Sequence, residues 1–136
     1  MACVGILPLF LTLSLFSQTT KSIERAFFQN DPKLLYALLS TRNQINISLP
    51  EPIFFSDQVS SEQTLFLFRQ ICTTFQTFEF YADSQIPVLA KKNSFIFKSR
   101  WSFKNKKNNN QYVLQVFFYL VNEKDWKITE IKAEKL

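Results

Sequence analysis

The 136-residue sequence has no histidine and one glycine, Gly5. Average usage is about 7% glycine, and none occurs after that position. Without histidine, Ser-His-Asp and Cys-His catalysis are excluded, as is any histidine-ligated metal. Without glycine, no Gly-rich phosphate loop can form. Cysteine is scarce too: Cys3 and Cys72 are the only two. Charge is missing from residues 1–20, so all 16 basic and 11 acidic residues lie beyond them. What is abundant is phenylalanine, with 16 in a chain of formal net charge +5.

Residues 4–16 (VGILPLFLTLSLF) form an apolar run. Thirteen residues are too few to span a bilayer, which takes about 20, and Pro8 is expected to interrupt a helix there. The run has the length of the apolar core of a secretory signal, followed by the small polar stretch Ser17-Gln18-Thr19-Thr20. No Lys or Arg precedes it, and cleavage after Ser14, Ser17 or Thr19 is equally compatible. We therefore expect a signal peptide over 1–20, a folded domain over 21–136, and an exported, periplasmic or secreted protein with no transmembrane helix once mature. Cys3 precedes the apolar run, so it is not placed as a lipoprotein cysteine. Removing the leader leaves Cys72 alone, with no internal disulfide. Cys72 then reads as a small core residue.

In residues 22–29, Ile23, Ala26 and Phe27 recur at helical spacing. Asn30 follows as a left-handed stop, and Asp31-Pro32 restarts a helix as N-cap and first residue. Leu34, Leu35, Leu38 and Leu39 give that second helix its stripe. Residues 45–49 (INISL) alternate as a strand, and 52–56 (PIFFS) read as a short returning one. Ser56 or Ser60 caps a long helix from about Asp57 to Phe75, and Ser60 with Gln63 fits a capping box. Leu65, Phe68, Cys72 and Phe75 share one face of it. Phe66, Leu67 and Ile71 widen the apolar sector, so burial on more than one side is expected. Residues 77–82 alternate Phe78 and Phe80 against Glu79 and Tyr81. Residues 86–90 are a weaker strand or the far end of that one.

The strongest strand pattern is 94–104 (SFIFKSRWSFK). Phe95, Phe97, Trp101 and Phe103 face one way, and Ile96, Lys98, Arg100 and Lys104 the other. After the polar turn 105–110, residues 111–121 (QYVLQVFFYLV) are apolar on both faces, which requires a central strand. If Lys104 pairs with Gln111, Phe103 meets Tyr112, Trp101 meets Leu114, Phe97 meets Phe118 and Phe95 meets Leu120. A one-residue slip would put Lys98 and Arg100 inside. In the last strand, 126–136, the phase slips from Trp126 and Ile128 to Ile131 and Ala133, which predicts a bulge near Thr129-Glu130.

Two helices, a strand pair, a long helix and a three- or four-stranded meander make an α+β layout. We expect a curved antiparallel sheet of four to six strands, with about three helices on its concave face, after the N-terminal signal segment. This order resembles the nuclear transport factor two-like superfamily, the cystatin-like cone. Within it, the chain is similar to small exported bacterial proteins that form a domain-of-unknown-function family. The residues carrying the resemblance are Ile23-Glu24-Arg25-Ala26-Phe27, the Asn30-Asp31 corner, Leu34 and Leu38, Ile45 to Leu49, Phe55-Ser56, and Trp126-Lys127-Ile128 with Ile131. The resemblance implies a cone-shaped cavity, where enzymes of the fold such as ketosteroid isomerases and dehydratases place Asp, His or Tyr.

The inward positions inferred here are Phe78, Phe80, Phe95, Phe97, Trp101, Phe103, Leu114, Val116 and Phe118, and none transfers a proton. Asp57, Glu79 and Asp83 are the candidate acids, with Tyr112 or Tyr36 as an inward partner. No catalytic residue, metal or cofactor is expected. If the cone holds a small apolar ligand, Phe97, Trp101, Tyr112 and Phe118 line it. Residues 91–107 carry seven basic side chains and no acid. Their strand face, with Lys98, Arg100 and Lys104, would suit an anionic surface or an acidic protein. Nucleic acid is not an expected partner of an exported protein. Ile96, Phe117 and Tyr119 on that face are candidates for a homodimer interface. The reading is an exported, non-catalytic binding or protein-interaction module. The alternative is a cavity enzyme of the isomerase or dehydratase kind, or a carrier, for a small apolar molecule.

Overall fold

A computed structural model describes the chain over residues 7–83, 88–91 and 94–136, and its side chains over 17–83 and 94–136. From Leu7 onward, the leader and the following amphipathic segment lie in one helix, α1 (Leu7–Phe28). Pro8 does not interrupt it. It is the second described residue of α1, a place where proline's fixed φ suits a helix. The helix buries Thr19, Ile23, Ala26 and Phe27. It stops at Asn30, whose φ of 50° is left-handed. Asp31 caps α2 (Pro32–Tyr36), accepting the Leu34 N–H at 3.3 Å.

The chain then enters β1 (Ile45–Leu49), whose alternate residues are buried. It turns back into β2 (Phe55–Val59). This return strand sits three residues later than the 52–56 segment expected, because residues 51–53 form the turn. Asp57 to Val59 are therefore strand, not the start of the long helix. That helix, α3 (Ser61–Thr74), begins at the capping box: Ser60 Oγ accepts the Gln63 N–H at 3.1 Å, and Gln63 Oε1 accepts the Ser60 N–H at 2.9 Å. Its buried side is Thr64, Phe68 and Ile71. Phe66 is 62% exposed, so burial on several sides does not hold.

The remaining strands are β3 (Phe75–Ala82), β4 (Val88–Lys91), β5 (Ser94–Asn105), β6 (Gln111–Glu123) and β7 (Asp125–Lys135). Of the weaker stretch 86–90, Ile86 and Pro87 lie outside the described residues. The sheet runs in the order β2-β1-β7-β6-β5-β3, with β4 beside the far end of β5. The fold is α+β, a curved, unclosed sheet with three helices among the described residues. One of its strand pairs is parallel, β1 with β7. A parallel bridge between Leu39 and Ile128 aligns the two before β1 starts. The Ser40 N–H donates to the Ile128 carbonyl at 2.9 Å, and the Ile128 N–H to the Leu38 carbonyl at 2.8 Å.

The β5–β6 register is Lys104 opposite Gln111, Trp101 opposite Leu114 and Phe97 opposite Phe118. It is held by the requirement that both cations stay outside. In β7 the phase slip is a bulge: Tyr119 pairs with Glu130 and Leu120 with Ile128, leaving Thr129 as the extra residue. Its hydroxyl donates to the Tyr119 carbonyl at 3.3 Å. A second bulge lies in β3, where Thr77 pairs with Phe103 and Glu79 with Ser102. Phe78 is the extra residue there and is 45% exposed, so it is not an inward position.

Candidate functional site

The concave side of the sheet is filled by rings. Phe27 from α1 projects into it and meets Phe80 at 4.6 Å between centroids, Trp101 at 5.1 Å, Phe118 at 5.6 Å and Phe68 at 5.8 Å. Such pairs add roughly 0.5–1.5 kcal/mol each beyond the area they bury. Phe97 stacks on Phe118, and Trp101 on Phe103 at 4.1 Å. Tyr112, half-buried, closes this row by stacking on Phe103. The polar groups here are paired. Trp101 Nε1 donates to Thr77 Oγ1 at 2.8 Å, and Ser99 Oγ to the Val116 carbonyl at 3.1 Å.

A cavity of about 20 Å³ remains between α1, α3 and the sheet, lined in part by Phe27, Leu35, Cys72, Thr77 and Trp101. That is room for about one water, whereas ligand pockets run to roughly 300–1,000 Å³. Of the four expected pocket residues, only Trp101 borders it. Phe97 and Phe118 are buried in ring contacts. Burial of the Cys72 thiol pushes its pKa up, against an opposing pull from Lys106.

The expected acids lie elsewhere. Asp57 is exposed on β2. Glu79 accepts the Ser102 hydroxyl at 3.3 Å on the outer side of the sheet, and Asp83 accepts the Gln115 amide at 2.5 Å. The Tyr36 hydroxyl donates to Glu62 at 3.4 Å in an exposed contact. None of these side chains lines the small cavity.

The convex side brings the other expected residues together. Rows across it read Tyr81, Arg100, Gln115, Glu134; then Lys98, Phe117, Lys132; then Ile96, Tyr119, Glu130. Ile96, Phe117 and Tyr119 are half-buried at its centre. Lys98 Nζ lies 6.0 Å from the Phe117 ring centroid, and the Arg100 guanidinium 5.9 Å from that of Tyr81. Arg100 Nε is buried and meets no hydrogen-bond acceptor among the described residues. Among the described residues neither Lys98 nor Arg100 forms an ion pair; the pairs present are Lys132 with Glu134 and Lys135 with Glu51. Lys104 lies further along the same strand, opposite Gln111 and Gln76. The face is less cationic than β5 alone implies. β3 and β7, distant in sequence, bring Glu79, Asp83, Glu130 and Glu134 to it.

Sequence reasoning missed one surface. A groove of about 540 Å³ opens between β2 and α3, lined by Phe55, Asp57, Val59, Glu62, Gln63, Phe66, Leu67 and Gln70. The signal was present around Phe66. Its helical neighbours at three and four residues are Glu62, Gln63, Arg69 and Gln70, so it stands alone in a polar stripe.

Solved structures share this architecture. A ketosteroid isomerase-like protein from Erwinia carotovora atroseptica superposes with a TM-score of 0.70 at 14% identity, over 91% of this chain and 95% of that one. A nuclear transport factor 2-like superfamily protein from Salmonella enterica gives 0.67 at 14%, over 91% and 92%. A scytalone dehydratase-like protein from Novosphingobium aromaticivorans gives 0.68 at 14%, over 100% and 89%. No family model matches the sequence, and no curated protein matches it. The chain has the nuclear transport factor 2-like fold, the cone that its element order resembles. No helix among the described residues is long and apolar enough to cross a membrane.

Proposed function

We propose that this chain is a non-catalytic interaction module that pairs with a second copy of itself through the convex face of its sheet. The observation carrying this reading is the make-up of the convex face: half-buried Ile96, Phe117 and Tyr119 lie among Lys98 and Arg100, which form no ion pair among the described residues, and the carboxylates of Glu130 and Glu134. A two-fold interface sets one patch against its own copy, so charged groups on it find opposite partners only if both signs are present. The convex face meets that condition, with Arg100 and Lys98 beside Glu130 and Glu134. A uniformly anionic surface would meet four carboxylates there. The filled cone argues against a role inside it.

Sedimentation equilibrium at two protein concentrations tests the reading. A dimer is expected for the wild type, and Phe117→Glu, at a half-exposed position, should yield a folded monomer. A wild-type monomer at both concentrations overturns it. Binding to anionic vesicles that falls steeply with salt would favour an anionic surface instead.

The alternative is an enzyme or carrier for a small apolar molecule. It rests on the isomerase-like and dehydratase-like names among the fold neighbours. A Trp101 fluorescence response to millimolar apolar ligand would support it. Export belongs to the proposed reading through the apolar run of residues 4–16. Cleavage after Ser17 or Thr19 would cut α1 yet keep Ile23, Ala26 and Phe27, which hold it to the sheet. Mass spectrometry of the mature N-terminus decides this.

A further inference from the structure

We infer that the groove between β2 and α3 docks an extended, basic and apolar segment of a partner protein. The groove shares no lining residue with the convex-face rows proposed for the dimer.

Three features of the groove specify its occupant. The first is apolar surface that folding leaves uncovered. Phe66 is 62% exposed and lies beside Phe55 and Leu67, both half-buried. The second is charge. The lining carries two carboxylates, Asp57 and Glu62, and no Lys or Arg, on a chain whose net charge is +5. Glu62 sits in the first turn of α3. Its own backbone N–H, then the Ser61 hydroxyl, hold its pKa below the usual carboxylate range, so it stays ionised. The third is an open backbone edge. β2 ends the strand order and pairs only with β1 among the described strands. Its five residues span about 17 Å.

An edge strand beside an apolar groove accepts an added strand: main-chain hydrogen bonds supply affinity, and alternate side chains supply selectivity. Here the alternate side chains that face the groove would be of both kinds: apolar ones on Phe55, Phe66 and Leu67, and cationic ones against Asp57 and Glu62, which line the same groove. An acidic segment would be repelled by both carboxylates. The open groove suits a chain more than a small molecule, which ligand pockets enclose over most of its surface.

The test uses the full chain and a fluorescein-labelled decapeptide in which lysine and valine take turns at every second position, with threonine between them, so that one strand face carries both; fluorescence anisotropy is the readout. A second decapeptide replaces each lysine by glutamate. Saturable binding of the basic peptide is expected, and none of the acidic one. Phe66→Asp and Asp57→Lys should each weaken binding by about tenfold or more. Both sites are exposed, so thermal melts should confirm that the variants remain folded. Raising salt through the range where the Debye length shrinks below about 8 Å should weaken binding further. Absence of saturable binding by the basic peptide overturns the inference. So does equal affinity for wild type and both variants, or equal affinity for the two peptides. A change in sedimentation has no bearing on these outcomes, so failure of the dimer is distinguishable from failure of the groove.

Discussion

Phe27 of α1 lies stacked on Phe80 of β3, with centroids 4.6 Å apart and planes 20° from parallel. One helix side chain thereby occupies the centre of the cone, touching rings from α3, β3, β5 and β6. Phe27→Ala removes that plug and is expected to destabilise the fold by about 3–5 kcal/mol, the range for large-to-small changes in a packed core. Urea unfolding measures it. The space created should also admit a small apolar probe such as benzene, so Trp101 fluorescence should respond to it in the variant and not in the wild type.

Trp101 and Thr77 form a buried hydrogen-bonded pair. Thr77→Val leaves the indole N–H without its acceptor and is expected to cost about 1–3 kcal/mol. Combining it with Trp101→Phe removes both polar partners. In a double-mutant cycle the Thr77→Val penalty should then largely disappear. An unchanged penalty in the Trp101→Phe background would refute the pairing.

Asn30 acts as more than a helix stop. Its Nδ2 donates to the Phe75 carbonyl at 3.1 Å, and its Oδ1 accepts the Thr77 N–H at 3.3 Å. Glycine at this position is relieved of the left-handed conformation but loses both bonds; alanine loses them and keeps the strain. Chemical denaturation should therefore rank wild type above Asn30→Gly, and Asn30→Gly above Asn30→Ala. Each step should be about 1 kcal/mol.

Cys72 is half-buried, and burial raises its thiol pKa. Because the folded state holds this proton more tightly than the unfolded one, its contribution to stability is fully present below the ordinary thiol value. It is lost as pH rises above that value toward the raised one. At pH 8 the native thiol should react with iodoacetamide more slowly than a free cysteine peptide. Unfolding in urea should bring the rate up to the peptide's. Native reactivity equal to the peptide's would contradict the assignment.

Much of the fold was legible because it is written in local chemistry. Asn30-Asp31-Pro32 reads as a helix stop followed by a restart, and Ser60 with Gln63 as a capping box; both motifs act within four residues. The β5–β6 register was legible for a different reason. A slip of one residue would bury two cations, so sequence alone ruled it out. Phe78 shows the limit. Its alternation with Phe80 is regular in sequence, but the bulge against Phe103 and Ser102 turns it out of the core. Such an extra residue follows from how two distant strands meet. Phe66 was misread because apolar neighbours along the chain widened the apparent stripe, although its neighbours on the helix surface are polar.

The candidate surfaces divide the same way. Sequence alone determined which side chains of β5 and β6 share a face, because strand periodicity and the burial cost of charge leave one solution. It also determined that rings dominate the inner face of β5 and β6, with no histidine anywhere in the sequence, although the hydroxyls of Thr77 and Ser99 that share that side were not read from it. Tertiary structure decided how those rings fill the cone, since that depends on Phe27 arriving from a helix some fifty residues or more from most of its partners. It decided as well that carboxylates from β3 and β7 join the cations of β5, and that β2 and α3 leave a groove between them. These are relations between segments far apart in the chain, set by packing and strand order, and no local pattern encodes them.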